Sequence, residues 1–255
     1  MENQTKQKKP FAVVIMAAGK GTRMKDPSKA KVMYEILGKP MLHYVLELAY
    51  VLDAQRIVTV IGYQGDAVMS YLQKNFPNVD IAVQAEQLGT GHAVLQAEPY
   101  LKDFQGDVIV LSGDVPLLTE HTMRNLITVH RVTNATATIL TAEFPDPTGY
   151  GRVIRNKEGM VEKIVEHKDA TEEERNVREI NSGIYVFDCK KLFEALRQIT
   201  PQNAQNEYYL TDVFQYFWKN HLTVAAMKTE HIDEIRGVNT VQQLNEMKQI
   251  LMSRS

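Results

Sequence analysis

The chain has 255 residues, 44% of them hydrophobic and 24% charged, enough to bury a full core without disulfides or metal staples. Its 29 Lys and Arg balance 31 Asp and Glu, and a net charge of −2 provides no overall basic field to recruit nucleic acid. No segment approaches the roughly 20 apolar residues that span a bilayer, and the one cysteine, Cys189, cannot form an internal disulfide. A cytoplasmic protein is expected, with Cys189 as a small apolar filler.

The start, Met1–Pro10, is a polar, lysine-rich tail that leads into no signal-type apolar core. After it, Phe11–Met16, Arg56–Gly62, Val79–Gln84 and Asp107–Ser112 read as buried strands rich in valine and isoleucine. Between them Pro40–Asp53, Gln64–Asn75 and Gly89–Leu101 read as helices, with Pro40 suited to a first turn where no N–H is needed. Leu42, Val45, Leu46, Ala49 and Leu52 recur at helical spacing. This β-α-β alternation predicts an α/β fold, a mostly parallel sheet with helices on both faces.

The second half is less regular. Ala135–Ala142, Arg152–Arg155, Met160–Val165 and Gly183–Phe187 look like strands, and Thr171–Arg178 like a solvated loop or short helix. Leu192–Leu196 and Thr211–Trp218 suggest helices, and Val241–Met252 a terminal amphipathic one. The expected organisation is a tail at 1–10, one domain over 11–239 with a smaller late lobe, and a C-terminal helix over 240–255.

The richest stretch is Met16-Ala17-Ala18-Gly19-Lys20-Gly21-Thr22-Arg23-Met24, at the carboxyl end of the first strand, where open α/β sheets bind ligands. Glycines at 19 and 21 let backbone N–H groups approach an anion, and Lys20 and Arg23 add charge. It is not a P-loop, because Gly21 and not Ser or Thr follows Lys20. Nor is it a dinucleotide turn, since Met24 stands where the third glycine belongs. A tight turn without a ligand is the plain alternative.

This turn, followed by Lys31-Val-Met-Tyr-Glu-Ile-Leu-Gly-Lys-Pro40-Met41, resembles the nucleoside-diphosphate-sugar pyrophosphorylases. It is most similar to the uridylyltransferase domain of the bifunctional N-acetylglucosamine-1-phosphate uridylyltransferase/glucosamine-1-phosphate acetyltransferase family, in order from about Phe11 to Asn239. The resemblance implies a Rossmann-like nucleotidyltransferase fold that joins UTP to N-acetylglucosamine-1-phosphate with Mg²⁺ as cofactor. It assigns catalysis to Arg23 and Lys31, with Lys29 close enough to share the role of Lys31.

Three further motifs fit that resemblance. In Gln84-Ala-Glu-Gln-Leu-Gly89-Thr90-Gly91, an amide can give and accept bonds to uracil, and bare backbone can approach a base or ribose. The resemblance gives nucleotide binding to Gln84, Gly89, Thr90, Gly113 and the turn residues Ala17, Ala18, Gly19 and Gly21; Gly-Thr-Gly starting a helix is the plain reading. Ser112-Gly113-Asp114 ends a strand where an aspartate can hold Mg²⁺ through oxygen. The implied metal pair is Asp114 and Asn239, although Asn239 also suits a helix cap. The family often carries tyrosine where this chain has Ser112. Gly151 through its backbone, Glu166 and Asn181 match the family's sugar-binding positions; a surface ion pair with Lys168 or His167 is the plain role for Glu166.

The implied reaction needs no protein nucleophile, because the sugar phosphate is already anionic. Other nucleotide or sugar partners, or a noncatalytic nucleotide-binding module, are the rival readings. A glycosyltransferase would show an Asp-x-Asp pair, which the sequence lacks. The hexapeptide β-helix of the bifunctional family does not occur in these 255 residues, so no acetyltransferase activity is expected of them. No nucleic-acid or membrane partner is expected, and no motif specifies an oligomeric state.

Overall fold

Successive side chains of a strand point to opposite faces, so a strand covered on both sides must be apolar at odd and even positions alike. The computed structural model describes residues 9–254 except Thr22, Lys25 and Pro27; the polar start through residue 8 and Ser255 lie outside the described residues. In β1 (Phe11–Ala17), Val13 and Ile15 enter one core while Ala12 and Val14 enter another.

The glycine-rich turn follows, then a 3-10 turn at Lys31–Met33 and a small antiparallel hairpin of β2 (Glu35–Ile36) and β3 (Lys39–Pro40). Next come α1 (Met41–Val51), β4 (Arg56–Ile61), α2 (Gly65–Asn75) and β5 (Asp80–Val83). The chain continues through α3 (Thr90–Leu95), α4 (Glu98–Leu101), β6 (Asp107–Ser112), α5 (Glu120–Val132) and β7 (Ala137–Glu143). The second half contains β8 (Gly151–Arg155), β9 (Val161–Val165), α6 (Glu172–Arg175), β10 (Glu179–Asp188) and α7 (Cys189–Leu196). It closes with α8 (Val213–Lys219), β11 (Val224–Lys228) and α9 (Val241–Arg254).

The main sheet has the order β11-β7-β10-β6-β1-β4-β5. Strand β1 runs parallel to β4 and β6, β4 to β5, and β11 to β7; β10 alone runs against both its neighbours β6 and β7. Helices α1, α2 and α5 cover one face, and α3, α7 and α8 the other. The α/β expectation of a mostly parallel sheet between helices therefore holds.

Strand β10 pairs with β6 only from Tyr185 onward. Its first half, beyond a register shift between Asn181 and Tyr185 where Gly183 takes φ = 78°, pairs with the β8–β9 hairpin instead. The hairpin thereby extends the sheet past the carboxyl end of β6, and its Gly151 shares a pocket with Met16 and Ser112 at the ends of β1 and β6. Helix α9 packs through Met247 on Ile36 and Met41, beneath the same edge.

Several local expectations are corrected. The helix expected over Gly89–Leu101 is broken into α3 and α4, because Pro99 at the start of α4 has no N–H to give and its ring clashes with the preceding turn. Pro40 lies just outside α1, at φ −56° and ψ 149°, and ends β3. Helix α5 was not expected, although Thr119 caps it by accepting from Thr122 N at 3.3 Å and Met123, Leu126 and Ile127 form its buried stripe. Strands β2, β3 and β11 are short, half-exposed additions.

Candidate active site

The parallel strands β1, β4 and β6 deliver their carboxyl ends to one edge, where no further ladder partner uses the backbone. Gly113 N binds Met16 O at 2.9 Å, clamping the Ser112-Gly113-Asp114 corner to the end of β1. A Cβ on Gly113 would stand 3.1 Å from Val32 Cγ1 and 3.2 Å from Met16 O, so its bareness serves this packing. The two turn glycines divide their labour. Gly19 faces open space, as a backbone meeting a ligand requires, whereas a Cβ on Gly21 (φ = 58°) would lie 2.6 Å from Lys31 Cβ.

That close approach seats Lys31. Its Nζ is bonded to Asp114 Oδ2 and, at 3.1 Å, to Asn239 Oδ1. Arg23, 216 positions from Asn239, donates to the same Oδ1 at 2.9 Å. Val238 N binds Asp114 O at 2.9 Å, which fixes the second strand of residues against the first. Arg23, Lys31, Asp114 and Asn239 therefore meet at one point, while Lys20 lines the cleft beside them. Lys29 does not join them: its ammonium stands 5.2 Å over the Tyr34 ring.

Two oxygens that already share one cationic nitrogen are set to share another hard cation. Asp114 and Asn239 are the residues that would hold Mg²⁺, which accepts one carboxylate and completes its shell with water and substrate phosphates. Among the described residues no group of three or more His, Cys, Asp or Glu could cage a metal unaided. The donor set fits an oxygen-seeking ion that depends on its substrate.

Beside this centre lies a cleft of about 400 Å³ lined by Ala17, Ala18, Gly19, Lys20, Lys31, Gln84, Gly89, Thr90 and Asp114, among others. Gln84 is 3% exposed; its Nε2 donates to Gly89 O at 3.0 Å and stands 3.1 Å from His92 Nδ1. Gly89 (φ = 115°) is bare for a reason internal to the protein, since a Cβ would sit 2.5 Å from Tyr208 O. Gly91 N donates to Tyr208 O and Tyr208 N to Leu88 O, both at 2.8 Å. Thr90 does not cap α3; its Oγ1 accepts from Leu210 N at 2.9 Å. The loop before α8 is thus bound to the loop before α3, and Glu207 joins the cleft lining.

A second pocket of about 200 Å³ opens from the first, sharing Met16, Thr90 and Ser112, and is lined by Gly151, Glu166 and Asn181. Gly151 pairs with Asn181 across β8 and β10, and Glu166 Oε2 lies 3.4 Å from where a Gly151 Cβ would be. Asn181 Nδ2 donates to the Tyr185 hydroxyl at 2.7 Å. Among the described residues Glu166 has no ion-pair partner: Lys168 donates to Gln205 and His167 lies near Arg152, while Thr211 Oγ1 donates to Glu166 Oε1 at 3.1 Å. Burial raises the Glu166 carboxyl above its ordinary range against the lowering effect of Thr211, and Asp212 and Asp169 raise it further.

Sequence reasoning missed Thr211, Glu207 and Tyr150. Burial pushes the Tyr150 hydroxyl up, with Arg236, the Gly237 backbone and Arg23 acting against it, which puts the Gly149–Gly151 corner beside the segment that carries Asn239. Its place between two glycines in Thr-Gly-Tyr-Gly was the available signal. Cys189 lies away from all this, buried, its thiol pushed up to about 12 by burial first and Asp188 next. It is a filler.

An α/β sheet with a glycine-rich turn, an aspartate beside it and a nucleotide-sized cleft at its carboxyl edge is the arrangement of a nucleotide-handling protein. The chain belongs to the nucleotidyl transferase family, whose model matches residues 12–233. It is 49% identical over 241 residues to the bifunctional protein GlmU of Halalkalibacterium halodurans, covering 94% of this chain and 52% of that protein. The GlmU of Pelotomaculum thermopropionicum is 47% identical over 244 residues, 96% of this chain and 52% of its own. The chain therefore spans about half the length of the curated relatives it matches. The crystal structure of UDP-glucose pyrophosphorylase complexed with UDP-glucose superposes with a TM-score of 0.76 at 18% identity, covering 96% of this chain and all of that one. That likeness bears on fold alone.

Proposed function

We propose that the protein transfers UMP from UTP to N-acetylglucosamine-1-phosphate, giving UDP-N-acetylglucosamine and pyrophosphate. The observation that carries this reading is the convergence of Arg23, Lys31, Asp114 and Asn239 beside a cleft that continues into a polar pocket. A nucleotide fits the first, and a sugar with an amide substituent suits the carboxylate and amide of the second. The cytoplasm is the expected compartment, and no helix of the described residues is long and apolar enough to cross a membrane.

A phosphate oxygen of the sugar phosphate attacks the α-phosphorus of UTP, the bond from that phosphorus to the bridging oxygen breaks, and pyrophosphate departs. Every atom is conserved between the two phosphates, so the protein need only align them and offset charge. Arg23 and Lys31 supply cations at the point where Asp114 and Asn239 meet. Mg²⁺ held by Asp114 and Asn239 would add charge neutralisation on the phosphate oxygens. Gln84 and Thr90 line the base and ribose end; Glu166 and Asn181 offer an acceptor and an amide to sugar hydroxyl and acetamido groups.

The test is pyrophosphate release from a panel of nucleoside triphosphates and sugar-1-phosphates with Mg²⁺. Fast release with UTP and N-acetylglucosamine-1-phosphate alone supports both assignments. Another productive pair overturns the substrate assignment, and binding without turnover overturns catalysis.

A further inference from the structure

Resting on the reading of Gln84 as the residue that meets the base, we propose that His92 is a specificity-determining residue. By accepting a hydrogen bond at Nδ1 it holds the Gln84 amide with its nitrogen inward, so the site takes a base with an N–H at position 3 and rejects cytosine.

The argument starts from what each neighbour of Gln84 can do. Gly89 O, 3.0 Å from Gln84 Nε2, can only accept, so the –NH₂ end of the amide must face it. His92 Nδ1 lies 3.1 Å from the same Nε2 and accepts the second hydrogen only when its proton is on Nε2. Both donors of Gln84 are then spent inside the protein, and what remains is the acceptor Oε1. Uracil and thymine present N–H at position 3; cytosine presents a lone pair. To serve cytosine the amide would have to turn over, setting Oε1 against Gly89 O and against the imidazole lone pair at once. Two acceptor–acceptor contacts in a side chain 3% exposed oppose that turn.

His92 also lies 3.2 Å from Gln96 Nε2 through its own Nε2. A neutral imidazole has one acceptor nitrogen and cannot accept from both amides. Both amides donate to a backbone carbonyl at 3.0 Å, Gln84 Nε2 to Gly89 O and Gln96 Nε2 to His92 O, but Gln84 is nearly buried, whereas Gln96 is half-buried at the end of α3 and can swing toward solvent. Gln96 is therefore the one whose amide gives way at the imidazole, which leaves Nδ1 as the acceptor for Gln84. Tyr208, with its ring centre 6.3 Å from that of His92, limits movement of the imidazole on a third side.

The experiment compares kcat/KM for UTP and CTP in wild type, His92→Leu, His92→Asn and Gln84→Ala, with thermal melts to check folding. Loss of the acceptor in H92L is expected to lower UTP-over-CTP preference by about tenfold, one hydrogen bond's worth. H92N, whose side-chain oxygen falls where Nδ1 was, is expected to restore it. Nitrogen-15 NMR of the imidazole is expected to report the tautomer protonated on Nε2. A wild-type preference retained in folded H92L, or an Nδ1–H tautomer, overturns the role of His92. If Q84A also keeps its preference, the reading of Gln84 fails as well; if Q84A alone loses it, that reading stands and the His92 inference falls.

Discussion

Gly89→Ala tests whether the nucleotide cleft is shaped by the pairing of two loops or by the nucleotide it binds. Gly89 sits at φ 115° and ψ 175°, a region essentially closed to residues with a Cβ, and adopting it costs about 1–3 kcal/mol. The new methyl would also stand 2.5 Å from Tyr208 O and 2.8 Å from Tyr208 N. Relief requires the 207–210 segment to withdraw, which gives up the hydrogen bonds from Gly91 N to Tyr208 O and from Tyr208 N to Leu88 O, about 1 kcal/mol each. The sum is about 3–5 kcal/mol, a fall in Tm of about 6–10 °C for a chain of this size. Movement of Gly89 O also releases Gln84 Nε2, so the KM for UTP is expected to rise by about tenfold. Differential scanning fluorimetry and initial rates at varied UTP measure both. A melting curve that overlays the wild type, with KM unchanged, refutes the argument, because it would mean the loops do not constrain one another.

Asp114→Asn keeps the shape of the side chain but removes the carboxylate from the point where Lys31 and Asn239 meet, and is expected to lower kcat by about 10²–10³ with little change in Tm. Chelation of divalent cations should abolish pyrophosphate release, with activity restored by added Mg²⁺; full activity in excess chelator would remove the metal from the scheme. Glu166→Gln should raise the KM for the sugar phosphate by about tenfold while leaving that for UTP unchanged, because Glu166 lines only the smaller pocket. Asp212 is raised to about 6, by burial first and by the Asp169 carboxylate second, so its contribution to stability is complete below the ordinary value of 3.8 and lost as pH rises through about 6. Asp212→Asn should accordingly gain Tm over wild type progressively from pH 4 to about 7; a constant difference across that range would contradict the shift.

Much of this was legible in the residues. The β1 run is apolar throughout, and β4 and β6 are apolar but for Arg56, Thr59, Asp107 and Ser112, because both faces of the central sheet are covered, and such runs need no long-range information to be read as strands. Motifs at the carboxyl ends of those strands, from Ala17 to Arg23 and from Ser112 to Asp114, fall where ligands bind in this class of fold. Position along a parallel strand therefore placed both motifs at one edge of the sheet, where Arg23 and Lys31 both bond Asn239 and Lys31 also bonds Asp114.

Other features depended on which distant segments met. The buried stripe of α5 includes Thr122 and His130, which break its apolar pattern; Thr122 bonds the cap residue Thr119, but His130 finds its partner only in Thr138 on β7. Strand β11 is a half-exposed edge that becomes a strand only by pairing with β7. Local pattern favoured Gly89 and Gly91 as room for a ligand; Tyr208 occupies the place of a Cβ at Gly89, and Ile199 that at Gly91, while Gly89 also lines the cleft. Lys29 and Lys31 carry the same charge two positions apart, and nothing in their spacing separates them. Tertiary packing does: Tyr34 takes one ammonium, while Asp114 and Asn239 draw the other to the wall of the cleft. Residue type sets what a side chain can bond to, but in a parallel sheet the partners arrive from segments scores of residues away, and only the closed fold chooses among them.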